Sequence, residues 1–413
     1  MAQAPDPAVG LDQSAVAAFD SLKQYHQVPG FRIGGRYDLS DESSYELGGS
    51  GGVTFESLGL PPVQLGYVTV GTPHRNGRGE VDNAVLICPY YSGDSTNMLD
   101  FWSEKGTRTD LSEGAPLGPG KVFDTDRYYF ILADALGLWG TSKPSSSHPG
   151  QPGTRALGLA FPQYRLEDCV QLMYRLLRDR LGVDRLRLVT GVSLGASLTY
   201  VWGVLHPTFA QALCPIGGTP FQNRGMARWL FDLMTAAIQS DPIYRMTRGD
   251  YYARPRLERP ILGNLFGWSL LRQSAYVDER RVAQSEDQYT LESFDWEGSQ
   301  AVVDSLVKHA GAGQALFSVA LIDSNDLIYR NRAQAVHDVE GELGRIRART
   351  LIVHVETDQW LRPHIARRAH ERIPGSRLIT FPHDLGHYAV FAAPIRYAGA
   401  IRELLEAPGP SAR

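Results

Sequence analysis

Residues 186–200 read LRLVTGVSLGASLTY, and the fold follows from how this stretch is divided. Residues 186–190 are rich in aliphatic and β-branched side chains over the length of a short buried strand, and residues 194–205 can continue as a helix. Between them, Gly191-Val192-Ser193-Leu194-Gly195 matches G-x-S-x-G, the turn that presents a nucleophilic serine between a strand and a helix. The glycines have a steric reason. A turn this sharp strains the serine backbone, and side chains at the flanking positions would collide with it or with neighbouring chain. Ser193 is therefore expected at the carboxyl end of its strand. The helix N-terminus and the Leu194 N–H would face any oxyanion formed there.

Outward from this turn, residues 83–88 (NAVLIC) and 128–132 are apolar runs of strand length, suited to strands covered on both faces, and further strands are expected at 210–216, 350–355 and 377–381. Residues 165–181 place Leu166, Val170, Met173, Leu176 and Leu177 at helical spacing. Strand, helix, strand in this order implies a mostly parallel, doubly wound α/β sheet with right-handed crossovers. Residues 62–70 alternate, but the apolar phase changes after Tyr67, which calls for a bulge near Gly66 or burial of both faces. Residues 217–349 show helical periodicity and no clear strand. That is too long for a loop, so a helical lid inserted over the carboxyl edge of the sheet is expected. The division is then 1–52 as a partly ordered N-terminal extension with a helical candidate at 14–25, 53–216 and 350–413 as the core, and 217–349 as the lid.

Composition excludes several classes. The 413 residues exceed the ~250–300 at which a single core stops growing, which fits a domain with an insertion. A net charge of −4 and the lack of any basic, aromatic-interleaved patch argue against nucleic acid as a partner. No apolar stretch approaches the ~20 residues of a membrane span. The start, MAQAPDPAVGLDQ, has no basic and apolar leader pattern, so a cytoplasmic protein is expected. Cys88, Cys169 and Cys214 sit in apolar segments and read as core residues. No metal motif and no nucleotide loop is present, so neither metal nor cofactor is expected.

A serine hydroxyl needs a base within reach and a carboxylate to orient that base. In α/β-hydrolases the chain order is serine, acid, histidine. Asp358, after the strand at 350–355, and His387, after the strand at 377–381, satisfy both the order and the strand-end position. Glu356 and Asp384 are fallback acids, and His354, His364, His370 and His383 are competing bases. A second oxyanion donor must come from the loop after an early strand, and in Pro89-Tyr90-Tyr91-Ser92-Gly93 the Tyr91 N–H holds that place. Tyr90, Tyr251 and Tyr388 are the expected pocket residues. Trp229, Phe231, Tyr244 and Tyr252 are further lid aromatics that either fill the core or line the pocket.

Several segments in one order resemble the homoserine O-acetyltransferase family of the α/β-hydrolase superfamily. NAVLICPYYSGDS is similar to its oxyanion-loop segment, DTDRYYFILADALG to its next strand, and FPQYRLED to the approach to the nucleophile helix. DPIYRMTRGDYY is similar to a lid segment, TDQWLRP to the acid loop and LGHYAVF to the histidine loop, so that the likeness runs from about residue 66 to residue 391. The resemblance implies Ser193, Asp358 and His387 as the triad, a ping-pong acyl-enzyme route, acetyl-CoA as co-substrate of a transferase, and a homodimer through the lid. The chain also departs from the family. Gly386-His387-Tyr388 stands where the family has Gly-His-Asp, whose aspartate is implied to hold the substrate's amino group; a neutral phenol cannot make that pairing. The elbow, GVSLGA, is less glycine-rich, and the lid arginine for an amino-acid carboxylate has no clear counterpart, Arg272 lying nearby. A zwitterionic acceptor such as homoserine is therefore disfavoured. The leading expectation is a serine hydrolase of a carboxylic ester or related acyl compound; the alternative is an acyl-CoA-dependent O-acyltransferase with another hydroxyl acceptor. A non-catalytic binding protein on the same fold is the minor alternative.

Overall fold

The computed structural model describes residues 21–103, 114–255, 259–260 and 322–407. The strands are β1 (Gln24–Val28), β2 (Val63–Val70), β3 (Ala84–Cys88), β4 (Tyr129–Ala133), β5 (Leu188–Val192), β6 (Ala212–Ile216), β7 (Arg349–Val355) and β8 (Arg377–Phe381). They form one eight-stranded sheet in the order β1-β2-β4-β3-β5-β6-β7-β8. From β4 to β8 the neighbours pair in parallel. At the other edge β2 runs antiparallel to both β4 and β1. This is the mostly parallel α/β-hydrolase sheet that the strand–helix alternation calls for.

Around it lie α1 (Ser95–Trp102), α2 (Leu166–Arg175), α3 (Leu194–Leu205), α4 (Gly225–Ser240), α5 (Pro242–Thr247), α6 (Ser324–Ala335), α7 (Pro363–Arg372) and α8 (Ile395–Glu406). The period of two in β3 divides its residues between two layers. Leu86 and Cys88 enter the core that holds Leu172 of α2, Leu198 of α3 and Ala366 of α7. Val85 and Ile87 enter the one that holds Phe101 of α1 and Ile401 of α8. Covering both faces explains why the inner strands read as unbroken apolar runs.

The phase change in β2 reflects burial of both faces. Val63 through Val68 are all buried, and pairing with β1 runs without a break from Val63 to Tyr67. Gly66 is needed because the Asp134 carboxylate would lie 2.3 Å from any Cβ placed there. β5 begins two residues later than the apolar run suggests, since Leu186 only bridges Ala210 and the strand continues through Gly191 and Val192 into the elbow.

The boundary at residue 52 is corrected by the fold. From Ser21 onward the N-terminal segment is part of the core: β1 forms the sheet edge, and Phe31, Ile33 and Tyr45 are buried against α2 and α3. Each such side chain contributes roughly 1.5–3 kcal/mol of burial. Tyr25, expected at the end of a helix, is in β1, and residues 14–20 lie outside the described residues. Within 217–349 the described elements are helical, α4, α5 and α6 among them, while residues 261–321, including Arg272, lie outside the described residues.

Candidate active site

The elbow forms as its glycines require. Ser193 has φ 56 and ψ −115, a left-handed conformation that a non-glycine residue holds only when its surroundings impose it. β3 imposes part of it. A Cβ on Gly195 would lie 2.4 Å from the Cys88 carbonyl oxygen, and one on Gly191 would lie 2.7 Å from the Gly195 carbonyl carbon. Without side chains at these positions, β5 runs into α3 directly under the end of β3.

Ser193, His387 and Asp358 meet at this edge from three separate elements. His387, in the short turn Gly386–Tyr388 after β8, places Nε2 2.9 Å from Ser193 Oγ. Its Nδ1 lies 2.6 Å from Asp358 Oδ2, in the loop after β7. An ionised carboxylate only accepts, so Nδ1 carries the proton and Nε2 offers its lone pair to the serine hydroxyl. The other Asp358 oxygen accepts from the Trp360 and Leu361 N–H groups at 2.8 and 2.9 Å. Burial works against the charge of Asp358, but His387, through charge and hydrogen bond, then His354 and the Leu361 amide, hold its carboxyl below the usual carboxylate range.

His354, a competing base in the sequence, supports this loop instead. Its Nε2 lies 2.6 Å from the Leu361 carbonyl oxygen and 3.8 Å from Asp358. Burial lowers its pKa, so it is neutral and Nε2 donates. Glu356 accepts from Thr380 Oγ1. Asp384 and His364 are exposed, and His370 Nδ1 lies 2.8 Å from Ser376 Oγ. None of these joins the constellation.

Tyr90 and Tyr91 follow β3 and face Ser193 across one cavity. Among the described residues no acceptor engages the N–H of Tyr91 or of Leu194, the first residue of α3. The loop that carries Tyr91 is held from several directions. The Trp139 indole donates to the Ser92 carbonyl at 2.7 Å, from a residue at φ 48. Tyr91 Oη donates to Asn331 Oδ1 on α6, and Gly93 leaves room for the Tyr90 ring, 2.3 Å from where its Cβ would be. Asp94 caps α1 by accepting from Asn97 N–H, and Lys23 holds it from the N-terminal segment while also pairing with Asp134 at 3.2 Å. The loop after β3 is thus held by two residues that no motif marks, Lys23 and Trp139.

The cavity is mainly apolar. Phe101, Phe231, Met234, Trp360, Leu361 and Phe391 supply most of the wall, and Tyr388 lines it beside His387. No Asp, Glu, Lys or Arg lines it among the described residues. Tyr251, expected in the pocket, is not there. Its hydroxyl donates to Asp323 Oδ1 at 2.7 Å and accepts from Asn325 N–H at 2.9 Å, which ties it to the start of α6. Of the other lid aromatics Tyr244 and Tyr252 bond Asn325, while Trp229 is exposed. Buried Gln222 and Gln334 line the cavity too, and no pattern along the chain marks either. No cluster of His, Cys, Asp or Glu suited to a metal ion occurs among the described residues.

A serine at a strained strand–helix turn, in a mostly parallel sheet with an acid and a histidine at its edge, belongs to an enzyme of the α/β-hydrolase fold. No protein-family profile matches the chain. A "Probable acyltransferase" of Methanothermobacter thermautotrophicus is 29% identical over 338 residues, 81% of this chain and 88% of that one. The homoserine O-acetyltransferase of Symbiobacterium thermophilum is 31% identical over 329 residues, 77% of this chain and 81% of that one. The crystal structure of esterase E22 matches with a TM-score of 0.70 at 24% identity, covering 93% of this chain and 99% of that one. The chain belongs to the homoserine O-acetyltransferase family, whose relatives and structural neighbours are acyltransferases and esterases. No helix among the described residues is long and apolar enough to cross a membrane.

Proposed function

We propose that the protein is a serine hydrolase of uncharged carboxylic esters. Ser193 Oγ attacks the ester carbonyl as its proton passes to His387 Nε2. The oxyanion is held by the Tyr91 and Leu194 N–H groups, and Asp358 keeps the imidazole oriented and balances its positive charge. The tetrahedral adduct collapses, the C–O bond to the alcohol breaks, and the alcohol leaves with the proton from His387. Water then adds to the Ser193 ester with His387 as base, releasing the carboxylic acid and restoring the serine hydroxyl.

The observation that carries this reading is the wall of the cavity. A zwitterionic acceptor needs a carboxylate and a cation to pair with its two charges, and the described lining supplies neither. Tyr388, next to His387, presents a phenol where the family is expected to present a carboxylate. An acyl group and an uncharged alcohol portion fit this surface without burying an unpaired charge. A homodimer through 217–349 and a cytoplasmic location belong to the same reading.

The test is stopped-flow with p-nitrophenyl acetate, with and without CoA and hydroxyl acceptors. A burst followed by steady turnover in water, unchanged by acceptors and absent from Ser193→Ala, is expected. A burst that stalls until CoA or an alcohol is added would overturn hydrolysis in favour of acyl transfer. Equal activity in Ser193→Ala would remove the nucleophile assignment and bring forward a non-catalytic binding role.

A further inference from the structure

We propose that Gln222 and Gln334 form a neutral polar subsite in the cavity, and that the substrate is an ester carrying a hydroxyl group. The inference rests on the ester-hydrolase reading and adds the kind of ester.

Both glutamines are buried, at 1% and 2% exposure, and both line the cavity that contains Ser193 and His387. They are neighbours through the backbone. Gln222 N–H donates to the His337 carbonyl just beyond α6, and Gln334 is in the last turn of that helix. Among the described residues, Gln222 Oε1 and Gln334 Nε2 have no hydrogen-bond partner. Buried polar atoms are nearly always paired in folded proteins, so two unpaired ones on side chains that line a mainly apolar cavity point to a ligand group.

The orientation of Gln222 follows from its other contact. Ser197 Oγ donates to the Thr219 carbonyl at 2.8 Å, which uses its only proton, so toward Gln222 it can only accept. The Gln222 Nε2 is therefore the atom turned to Ser197, at 3.4 Å, and Oε1 is left as a free acceptor. Gln334 offers a free donor. A hydroxyl both donates and accepts, so one such group placed between the two donates to Gln222 Oε1 and accepts from Gln334 Nε2. A charged group would not suit the site, because carboxamides cannot neutralise it in an apolar wall.

The experiment compares kcat/KM within pairs of nearly equal shape that differ by hydroxyl against methyl. 2-Hydroxyethyl acetate against propyl acetate places the difference on the alcohol portion, and ethyl 4-hydroxybutanoate against ethyl pentanoate places it on the acyl portion. Wild type should prefer the hydroxyl member of at least one pair by ~10-fold or more. Gln222→Leu and Gln334→Leu should each lose most of that preference, read as the ratio of kcat/KM within each pair. Preference for the methyl member of both pairs in wild type would overturn the subsite, and this comparison needs no variant. Retained preference in folded variants, with Gln222→Met and Gln334→Met as second substitutions, would also overturn it. A Ser193-dependent burst with no hydroxyl preference would reject the subsite alone, whereas absence of the burst would reject the hydrolase reading and the subsite with it.

Discussion

Asp358 shows what a single side chain contributes beyond proximity. One of its oxygens is occupied by the Trp360 and Leu361 amides, so the other has one orientation available, toward His387 Nδ1. Asp358→Asn would keep the loop amides bonded, yet its NH₂ group cannot accept from Nδ1–H if it faces the ring. The imidazole would then favour the tautomer with its proton on Nε2, which cannot take one from Ser193. A fall in kcat of ~10³–10⁴-fold with a nearly unchanged melting temperature is the expected outcome. A fall below ten-fold in burst kinetics would mean that Asp358 does not orient the base. Ser193, Asp358 and His387 were legible because order along the chain and position after a strand are properties of sequence. Gln222 and Gln334 were not, because a glutamine carries no pattern that separates a cavity wall from a surface. Tyr251 was misread for a related reason: an aromatic residue on a helical insertion gives no sign of which way it faces.

The strand–turn–helix unit depends on close backbone packing. Ser193 is held at positive φ because β5 and α3 are wedged under β3, with the Cys88 carbonyl 2.4 Å from where a Gly195 Cβ would sit. Backbone cannot yield as a flexible side chain can. Gly195→Ala should therefore displace the start of α3, moving the Leu194 N–H with it. Expected are a stability loss of ~1–3 kcal/mol in urea unfolding and a loss of burst rate larger than the change in KM. An alanine variant with wild-type stability and burst would show that the turn has slack. The same unit shows how sequence places elements better than their ends. The elbow was readable to the residue, but its strand was read two positions early because Leu186 is as apolar as Val192 and periodicity cannot separate a bridge from a ladder.

On the scale of the molecule, the first described residues join parts that lie far apart in the chain. Lys23 bonds Asp94 and pairs with Asp134, and Tyr37 and Gly34 both donate to Asp168 on α2. Small and polar residues dominate this segment, and its few buried anchors follow no period, so composition suggested an extension. Here it covers α2 and α3 and brings together titratable groups that respond to pH in opposite senses. Burial lowers His206, which bonds Gln171 at 2.9 Å, to about 3. Burial raises Asp168, against three hydrogen bonds that lower it, to about 7.

The two shifts have opposite signs in the stability balance. For His206 the unfolded chain binds the proton first as pH falls through about 6.5, so its contribution is complete above that value and is lost progressively toward pH 3. For Asp168 the folded chain binds first, so between about pH 7 and the ordinary carboxylate value near 3.8 acidification favours the fold. Over the window from about pH 6.5 to 4 the two contributions largely offset each other, because both side chains are buried and burial moves their pKa values by similar amounts, His206 down to about 3 and Asp168 up to about 7. Replacing one exposes the other. His206→Phe would leave Gln171 Oε1 without its donor and lower stability at pH 7 by ~1–3 kcal/mol. It would also remove the proton uptake by the unfolded chain that weakens the fold in acid. Urea unfolding at pH 7, 5.5 and 4.5 should show the variant losing less stability than wild type on acidification, and the gap between them narrowing. Parallel curves would mean that His206 takes up its proton in the folded chain as readily as in the unfolded one, and that the packing of the N-terminal segment on α2 and α3 does not keep it neutral.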